Sequence, residues 1–146
     1  MPSGNNNGFK ALILAAGYAT RLYPVTLDIS KSLLKIGKKS IIDFSIKVLN
    51  SIKELEEIFV VTNNKFYSDF CSWKKKTTHK KRISIINDKT NTENEKLGAV
   101  GDIYYAVQTK KINSDLLVVG GDNIFQESIS RFVRFLTYKA KFVGKR

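Results

Sequence analysis

The stretch Phe9–Pro24 reads Phe-Lys-Ala-Leu-Ile-Leu-Ala-Ala-Gly-Tyr-Ala-Thr-Arg-Leu-Tyr-Pro. Its first part, Phe9–Ala15, is a short apolar run, which is typical of a buried strand in a parallel sheet. The run ends at Ala16 and Gly17, small residues that begin a loop. We therefore predict a fold built around a buried first strand whose carboxyl end opens into this loop.

Beyond this loop, helix and strand patterns alternate along the chain. Apolar residues that recur every three or four positions predict helices, and short β-branched runs predict strands. The predicted elements are a helix over about residues 40–53, a strand at Ile58–Thr62, a short helix marked by Phe66, Phe70 and Trp73, a strand at Ile83–Asn87, a helix near Ala99–Gln108, a strand at Asp115–Val119 and a last helix marked by Ile129, Phe132, Val133 and Leu136. Four strand–helix units in sequence predict an α/β fold with a mainly parallel sheet covered by helices on both faces.

The composition bounds the class of protein. The sequence has 146 residues, of which 42% are hydrophobic, and this suits one globular domain with a real core. We expect residues 1–8 to form a flexible polar tail and residues 9–146 to form the domain. The apolar stretches are far shorter than the roughly 18–20 residues of a transmembrane helix, and Met1–Gly8 lacks the pattern of a secretory signal. We therefore expect no membrane span and a cytoplasmic location.

Cysteine and histidine are too scarce for several kinds of site. Cys71 and His79 are the single residues of their types, which excludes a disulfide framework and a Cys/His zinc site. His79 lies inside the basic run Lys74–Arg82, where we expect a solvated loop and a repelled imidazole. A Ser-His-Asp hydrolase is therefore excluded as well.

The net charge of +12 suggests a polyanionic partner, either a nucleic acid or a phosphorylated small molecule. Charge alone does not separate these two classes. The basic residues outside the run Lys74–Arg82 are scattered along the chain, and no aromatic and basic signature of a nucleic-acid-binding module is present. We therefore favour a solvated surface and expect no specific nucleic-acid partner.

The loop after the first strand has the composition of a phosphate-binding loop. Small residues at positions 15–17 and 19 would let a ligand approach the main chain, whose N–H groups can hold phosphate oxygens, and Arg21 and Lys31 add positive charge. The loop is not a dinucleotide fingerprint, because Arg21 and Pro24 follow where a helix should begin. It is not a P-loop either, because no Gly-Lys-Ser/Thr sequence closes it.

Three motifs resemble those of a known family. The segment Leu14-Ala15-Ala16-Gly17-x-Ala19-Thr20-Arg21-Leu22-x-Pro24-x-Thr26, followed by Ser30-Lys31-x-Leu33-Leu34, resembles the signature of the sugar-1-phosphate nucleotidylyltransferases, the NDP-sugar pyrophosphorylases. Leu97–Gly101 is similar to the nucleotide-contacting segment of that family, and Gly121-Asp122 is similar to its metal-binding motif. The Ser30-Lys31 pair is similar to the glucose-1-phosphate thymidylyltransferase branch. The resemblance implies a Rossmann-like three-layer α/β/α fold.

The resemblance also implies a reaction. A sugar 1-phosphate oxygen would attack the α-phosphorus of a nucleoside triphosphate, giving an NDP-sugar and pyrophosphate. Arg21 would hold the β- and γ-phosphates, Lys31 would lie near the α-phosphate, and Asp122 would bind Mg²⁺. The nucleotide would be contacted by the loop at Leu14, Ala15, Ala16, Gly17 and Thr20, and by Gly98.

The sequence departs from the family pattern in two ways. Ala19 stands where the family usually has a second glycine, which is serious only if its φ is positive. The resemblance also covers only the N-terminal, nucleotide-binding half of the family's enzymes, so the chain looks truncated. A non-catalytic nucleotide-binding module and, less favoured, a basic nucleic-acid-binding module stay open, as does homo-oligomer formation.

Two other acidic residues receive structural roles at this point. We expect Asp43 to cap a helix and Asp102 to be a solvated helix residue. Asp122 itself could be only a turn or cap residue, and the upstream motif is what favours a metal role for it.

Overall fold

A computed structural model describes residues 8–125, 129 and 131–135 of the chain. The strands are β1 (Phe9–Leu14), β2 (Lys35–Ile36), β3 (Lys39–Ser40), β4 (Leu55–Thr62), β5 (Arg82–Asn87) and β6 (Leu116–Gly120), and the helices are α1 (Ile41–Asn50), α2 (Tyr67–Lys76) and α3 (Gly98–Lys110). Short 3-10 helices lie at Thr20–Leu22, Lys31–Leu33 and Glu93–Glu95.

The main sheet has four parallel strands in the order β5-β4-β1-β6, and β1 lies inside it. Ala11, Leu12 and Ile13 of β1 are completely buried. A strand that is buried on both faces needs a continuous apolar sequence, and this is what the run at Phe9–Ala15 provides. The predicted parallel α/β fold is confirmed.

Each face of the sheet carries its own hydrophobic core. Successive side chains of a strand point to opposite faces, and accordingly Ala11 and Ile13 pack in one core while Leu12 packs in the other. The first core contains buried side chains of α1 and α2, and the second contains Ala106 of α3. The molecule is therefore a three-layer α/β/α structure, as predicted.

The order of the strands creates a crevice at one end of the sheet. From β1 the chain passes to β4 and β5 on one side, and α3 then returns it to β6 on the other side of β1. The loops that leave β1 and β6 therefore diverge, and in open α/β sheets such a switch point is where ligands bind. Here the N–H of Gly121 donates to the carbonyl of Leu14 at 2.8 Å, which joins the two strand ends.

Helix α1 is capped and joined to α2 by the same residue, Asp43. Its start is fixed by Asp43, whose Oδ2 accepts a hydrogen bond from the N–H of Ser40 at 2.7 Å, as in half of a capping box. The other oxygen of Asp43 accepts from Nε1 of Trp73 in α2 at 2.8 Å. The predicted cap is confirmed, and the same carboxylate also joins the two helices of this layer.

Several local predictions were wrong. Helix α1 ends at Asn50, short of residue 53, and α2 extends to Lys76, so the first three lysines of the basic run are helical and not part of a loop. The hairpin β2–β3, whose turn contains Gly37 with φ +64, was not predicted.

His79 is half-buried beside the ring of Trp73, with 5.2 Å between the ring centroids, and is not a solvated imidazole. Burial lowers the pKa of His79, Asp43 opposes that shift and Lys74 adds to it.

The predicted tail falls outside the described residues except for Gly8. Residues 131–135 are helical, as the last predicted helix requires, but Leu136 falls outside them. Among the described helices, none combines the length and apolar character needed to cross a bilayer.

The double role of Asp43 gives a stability prediction. Replacing Asp43 by Ala removes a cap and leaves the buried Nε1 of Trp73 without its acceptor, so we expect the free energy of unfolding to fall by about 1–3 kcal/mol. Trp73 is the single tryptophan of the chain, so its fluorescence reports urea unfolding directly. The control is Asp115→Ala, which makes the same charge change at an exposed position. Equal stability of the two variants would contradict the assigned role.

Candidate active site

The crevice between the ends of β1 and β6 contains a cavity of about 250 Å³. It is lined by Leu14, Ala15, Gly17, Ala19, Ser30, Lys31, Ser32 and Asp122. Most of these residues are small, so main chain is accessible over much of the wall. One cation and one carboxylate face this bare backbone, which is a suitable surface for a phosphate group and its counter-ion.

The loop after β1 is held from behind, which leaves its front free. Nδ2 of Asn63 donates to the carbonyl of Ala16 at 3.0 Å, and the hydroxyl of Thr26 donates to the carbonyl of Ala19 at 2.8 Å. At Gly17, by contrast, no heavy atom lies within 4 Å of the position that a Cβ would take. A side chain there would occupy open space in the cavity, so glycine keeps room for a ligand.

Ala19 adopts φ 49 and ψ 41, the left-handed conformation. The departure from glycine noted in the sequence is therefore the serious case, because a left-handed alanine costs roughly 1–2 kcal/mol relative to a right-handed one. The bond from Thr26 to the carbonyl of Ala19 helps to hold this conformation. Strained backbone of this kind is often found where a ligand is bound.

Lys31 and Asp122 form the charged part of the crevice. Nζ of Lys31 donates to Oδ2 of Asp122 at 2.7 Å, although the residues are 91 positions apart in sequence. The hydrogen bond from Lys31 lowers the pKa of Asp122, against the opposing effect of partial burial. The side chains are 42% and 43% exposed, so both groups are accessible to a ligand.

The structure brings together some of the predicted site residues and not others. Leu14, Ala15, Gly17, Lys31 and Asp122 line the same cavity. The remaining predicted residues, Ala16, Thr20, Arg21 and Gly98, are not part of its lining.

The residues outside the lining occupy distinct positions. Arg21 and Thr20 are exposed on the 3-10 helix that follows Ala19. Gly98 begins α3 with φ +74 and has open space at its Cβ position, so this glycine is required by its backbone conformation and also leaves an open approach.

The donor set can be tested against the implied Mg²⁺. In the part of the chain that the structure describes, no three His, Cys, Asp or Glu side chains are grouped so that they could hold a metal ion. Asp122 is the one carboxylate in the cavity lining. Magnesium commonly takes one or two carboxylates, with water and substrate phosphates completing its six ligands. Asp122 therefore fits a magnesium ion that arrives with a phosphorylated substrate.

Sequence reasoning missed a buried polar network behind the loop. The hydroxyl of Thr90 donates to Oδ1 of Asp88 at 2.8 Å, and the hydroxyl of Tyr18 lies 3.2 Å from the same Thr90 oxygen. Since Thr90 has given its proton to Asp88, Tyr18 is the donor in that second bond. Burial raises the pKa of Tyr18, the bond with Thr90 lowers it, and Asp88, Glu95 and Glu93 raise it further.

The expectation for Asp102 was wrong. Asp102 is only 6% exposed, and burial together with neighbouring Asp88 raises its pKa to about 7. One signal was available in the sequence, because Asp102 stands four residues before the apolar Ala106 and therefore shares its inward helical face.

A larger cavity of about 650 Å³ lies against the C-terminal ends of α1 and α2. We call it the lysine groove, because its lining includes Lys38, Lys39, Lys47, Lys76 and Lys80. It is formed by α1, the end of α2, the segment after α2 and the β2–β3 hairpin, and not by the loops at the carboxyl ends of the main-sheet strands. We place the candidate active site in the smaller cavity, where main chain, a cation and a carboxylate converge at the switch point of the sheet.

Known proteins are similar to this chain in sequence and in fold. The chain is 32% identical to the mannose-1-phosphate guanylyltransferase catalytic subunit beta of Xenopus tropicalis over 136 residues, which are 90% of this chain and 36% of the relative. It is 33% identical over 129 residues to the bifunctional protein GlmU of Methanococcus aeolicus, which covers 84% of this chain and 27% of that protein. The chain thus spans about a third of the length of these curated relatives.

A solved structure from Bacillus anthracis, provisionally assigned as a glucose-1-phosphate thymidylyltransferase, matches with a TM-score of 0.72 and 23% identity. The match covers 89% of this chain and 50% of that chain, and it shows a shared Rossmann-like fold. The family model described as nucleotidyl transferase matches residues 10–144. The chain therefore belongs to the nucleotidyl transferase family.

Proposed function

We propose that the crevice between β1 and β6 binds a nucleoside triphosphate, and that the protein transfers its nucleotidyl group to a sugar 1-phosphate with release of pyrophosphate. One observation carries this proposal. The fold brings Lys31 and Asp122 to within 2.7 Å of each other beside a loop whose main chain is accessible. The names of the relatives, which are a guanylyltransferase of mannose 1-phosphate and a thymidylyltransferase of glucose 1-phosphate, support the substrate class.

Nucleotidyl transfer requires mainly that the two substrates be positioned and that their negative charges be neutralised. Two polyanions must approach in line, and the oxygens of the reacting phosphate must be shielded from each other. Main-chain N–H groups around Gly17 would hold phosphate oxygens, and the ammonium of Lys31 would supply a point charge near the α-phosphate. Preorganised charges of this kind stabilise a transition state without the cost of reorienting water.

Asp122 would hold Mg²⁺, and the bound ion would supply further neutralisation of the phosphate oxygens. In the ligand-free crevice, Asp122 holds the ammonium of Lys31 in place. When a phosphorylated ligand attracts that ammonium, Asp122 exchanges it for another partner. The exposure of both side chains makes this exchange inexpensive, because solvated ion pairs contribute little to stability.

Arg21 would serve the β- and γ-phosphates. It follows Ala19, a lining residue, by two positions, and its side chain is exposed. A planar guanidinium binds two phosphate oxygens at once, which suits the release of pyrophosphate better than an ammonium would.

A second candidate function is nucleotide binding without transfer. It is favoured by one observation, which is that Asp122 is the one carboxylate in the described lining of the cavity and therefore the one acidic side chain there that could hold a metal ion. The two candidates predict the same nucleotide affinity and differ in pyrophosphate release.

The role of Asp122 can be tested in a pyrophosphate-release assay. We expect pyrophosphate release from a nucleoside triphosphate, Mg²⁺ and a sugar 1-phosphate, and we expect Asp122→Asn to reduce it by about 100- to 1000-fold, the usual loss for one preorganised charged group. ATP, CTP, GTP, UTP and dTTP should each be tested with several sugar 1-phosphates and with phosphocholine as an alternative acceptor. The matched control is Asp115→Asn, at the other end of β6, which should be active.

Two outcomes of this assay would count against the account. Release that is unaffected by Asp122→Asn would rule out the metal assignment. Tight triphosphate binding, with no pyrophosphate released from the triphosphate in the presence of any acceptor, would favour the non-catalytic candidate.

A further prediction concerns the ion pair itself. Because the hydrogen bond from Lys31 is the largest cause of the low pKa of Asp122, Lys31→Met should raise that pKa, since the variant loses both the hydrogen bond and the charge of Lys31 while partial burial remains. Carboxyl ¹³C NMR of the ligand-free protein measures the titration directly. Lys35→Met, at an exposed position of β2, is the matched control and should leave the pKa of Asp122 in place. Equal titration curves in both variants would show that the pair does not form in solution.

A further inference from the structure

Two carboxyl groups meet in the interior between α3 and the loop after β5. Asp88 is 4% exposed and Asp102 is 6% exposed. Oδ2 of Asp88 and Oδ1 of Asp102 are both buried, and neither has a hydrogen-bond partner among the described residues. Asp88 is nevertheless near enough to act on Asp102 by its charge and, when one of the two carboxyls carries a proton, by a side-chain hydrogen bond. Two buried acceptors that face each other require a proton between them.

The surroundings decide which of the two groups carries that proton. Oδ1 of Asp88 accepts hydrogen bonds from the N–H of Thr90 at 2.7 Å and from the Thr90 hydroxyl at 2.8 Å. These donors stabilise a negative charge on Asp88. No comparable donor to the carboxyl of Asp102 occurs in the described structure, and burial disfavours its ionised form. Asp102 is therefore the acid of the pair and Asp88 is the base.

The pair also has a definite place relative to the candidate active site. Asp102 lies one turn after Gly98 on α3, and Asp88 is linked through Thr90 to Tyr18. Tyr18 is 3% exposed and stands between Gly17 and Ala19, which both line the cavity. The carbonyl of Thr90 also accepts from the N–H of Asn64, so the loop after β4 is tied to the same network.

We propose that Asp102 is a positioning residue of the nucleotide site, which carries a proton, donates it to Asp88 and thereby fixes the start of α3 relative to the loop around Tyr18. This inference rests on the proposed function. The segment that it positions, Gly98 and the first turn of α3, is where the resemblance to the family implied contact with the nucleotide. We assign Asp102 no contact with substrate or metal. It acts only through the hydrogen-bond network of Asp88, Thr90 and Tyr18.

The proposal implies a pH dependence. Asp88 is the charged group that acts on Asp102, and Glu93 and Glu95 add negative charge around Tyr18. When Asp102 loses its proton near pH 7, two adjacent carboxylates repel and the link between α3 and the loop breaks. The ordinary pKa of this carboxyl is 3.8, so between that pH and about 7 the folded chain holds one more proton than the unfolded chain. Stability from this pair therefore falls as the pH rises through that interval.

Asp102→Asn tests the proposal, because its amide can donate to Asp88 but cannot ionise. In the ligand-free protein, the melting temperature of the wild type should fall relative to that of Asp102→Asn as the pH rises from 5 to 8. Asp115→Asn, which changes an exposed aspartate, should follow the wild type at every pH. Superimposable profiles for the wild type and Asp102→Asn would overturn the proposal without reference to any ligand.

Triphosphate affinity is the second readout, measured by calorimetry at pH 6 and pH 8 with the nucleotide that binds the wild type. Dividing the affinity of Asp102→Asn by that of the wild type at each pH cancels the titration of the nucleotide itself. This ratio should rise by up to about tenfold between pH 6 and pH 8, because about nine-tenths of Asp102 is ionised in the wild type at pH 8. Asp102→Leu, which cannot donate, should bind more weakly than Asp102→Asn at both pH values.

The outcomes separate this inference from the proposed function. A constant affinity ratio beside a changed melting profile would mean that the proton pair exists but does not position the nucleotide site, which contradicts the inference. Absence of triphosphate binding by the wild type at any pH would contradict the proposed function, and the melting profile would still decide whether Asp102 holds the proton.

Discussion

Strand β1 is hydrogen-bonded to a parallel strand on each side, and the candidate site depends on this double pairing. In the register of the sheet, Leu14 stands opposite Val61 of β4 and opposite Gly120 of β6. Parallel strands in this register end at the same edge, so the loops that follow them are forced together. The bond from Gly121 to the carbonyl of Leu14 tightens the contact, and a Cβ at Gly121 would lie 2.6 Å from the Ser32 hydroxyl.

Charge and backbone act together in the crevice that results. The loop after β1 is anchored from behind by Asn63 and Thr26, so its free side faces the cavity. Lys31 and Asp122 hold each other in place while exposed, and a ligand that carries its own charges can replace either partner. Net charge alone would have directed attention to the lysine groove, where the basic residues are more numerous but no loop at the carboxyl end of a main-sheet strand contributes.

The sequence predicted the sheet well, because buried parallel strands leave long apolar runs such as Phe9–Ala15. It predicted less well wherever a residue's environment is set by distant segments. Asp102 and His79 were both expected to be solvated, Asp102 because a carboxylate on a helix is usually exposed and His79 because polar and charged residues flank it. Packing against elements that the linear pattern does not show buries Asp102 against the loop after β5 and half-buries His79 against Trp73.

The candidate site was predictable in part. Motif resemblance indicated Lys31 and Asp122, and the fold places them in contact. The lining excludes Arg21 and Gly98, and their proposed roles depend on a ligand long enough to extend beyond the cavity. The left-handed conformation of Ala19 is the case in which the missing glycine matters, and no sequence pattern predicts that it occurs.

We propose that a triphosphate binds at the switch point between β1 and β6. Amide NMR shifts of the isotope-labelled protein, followed during titration with a nucleoside triphosphate and Mg²⁺, locate the bound ligand. We expect saturable shifts at residues 15–19, 31–32 and 121–122, with the lysine groove unchanged. Shifts confined to the lysine groove, with the crevice unaffected, would show that the triphosphate binds elsewhere.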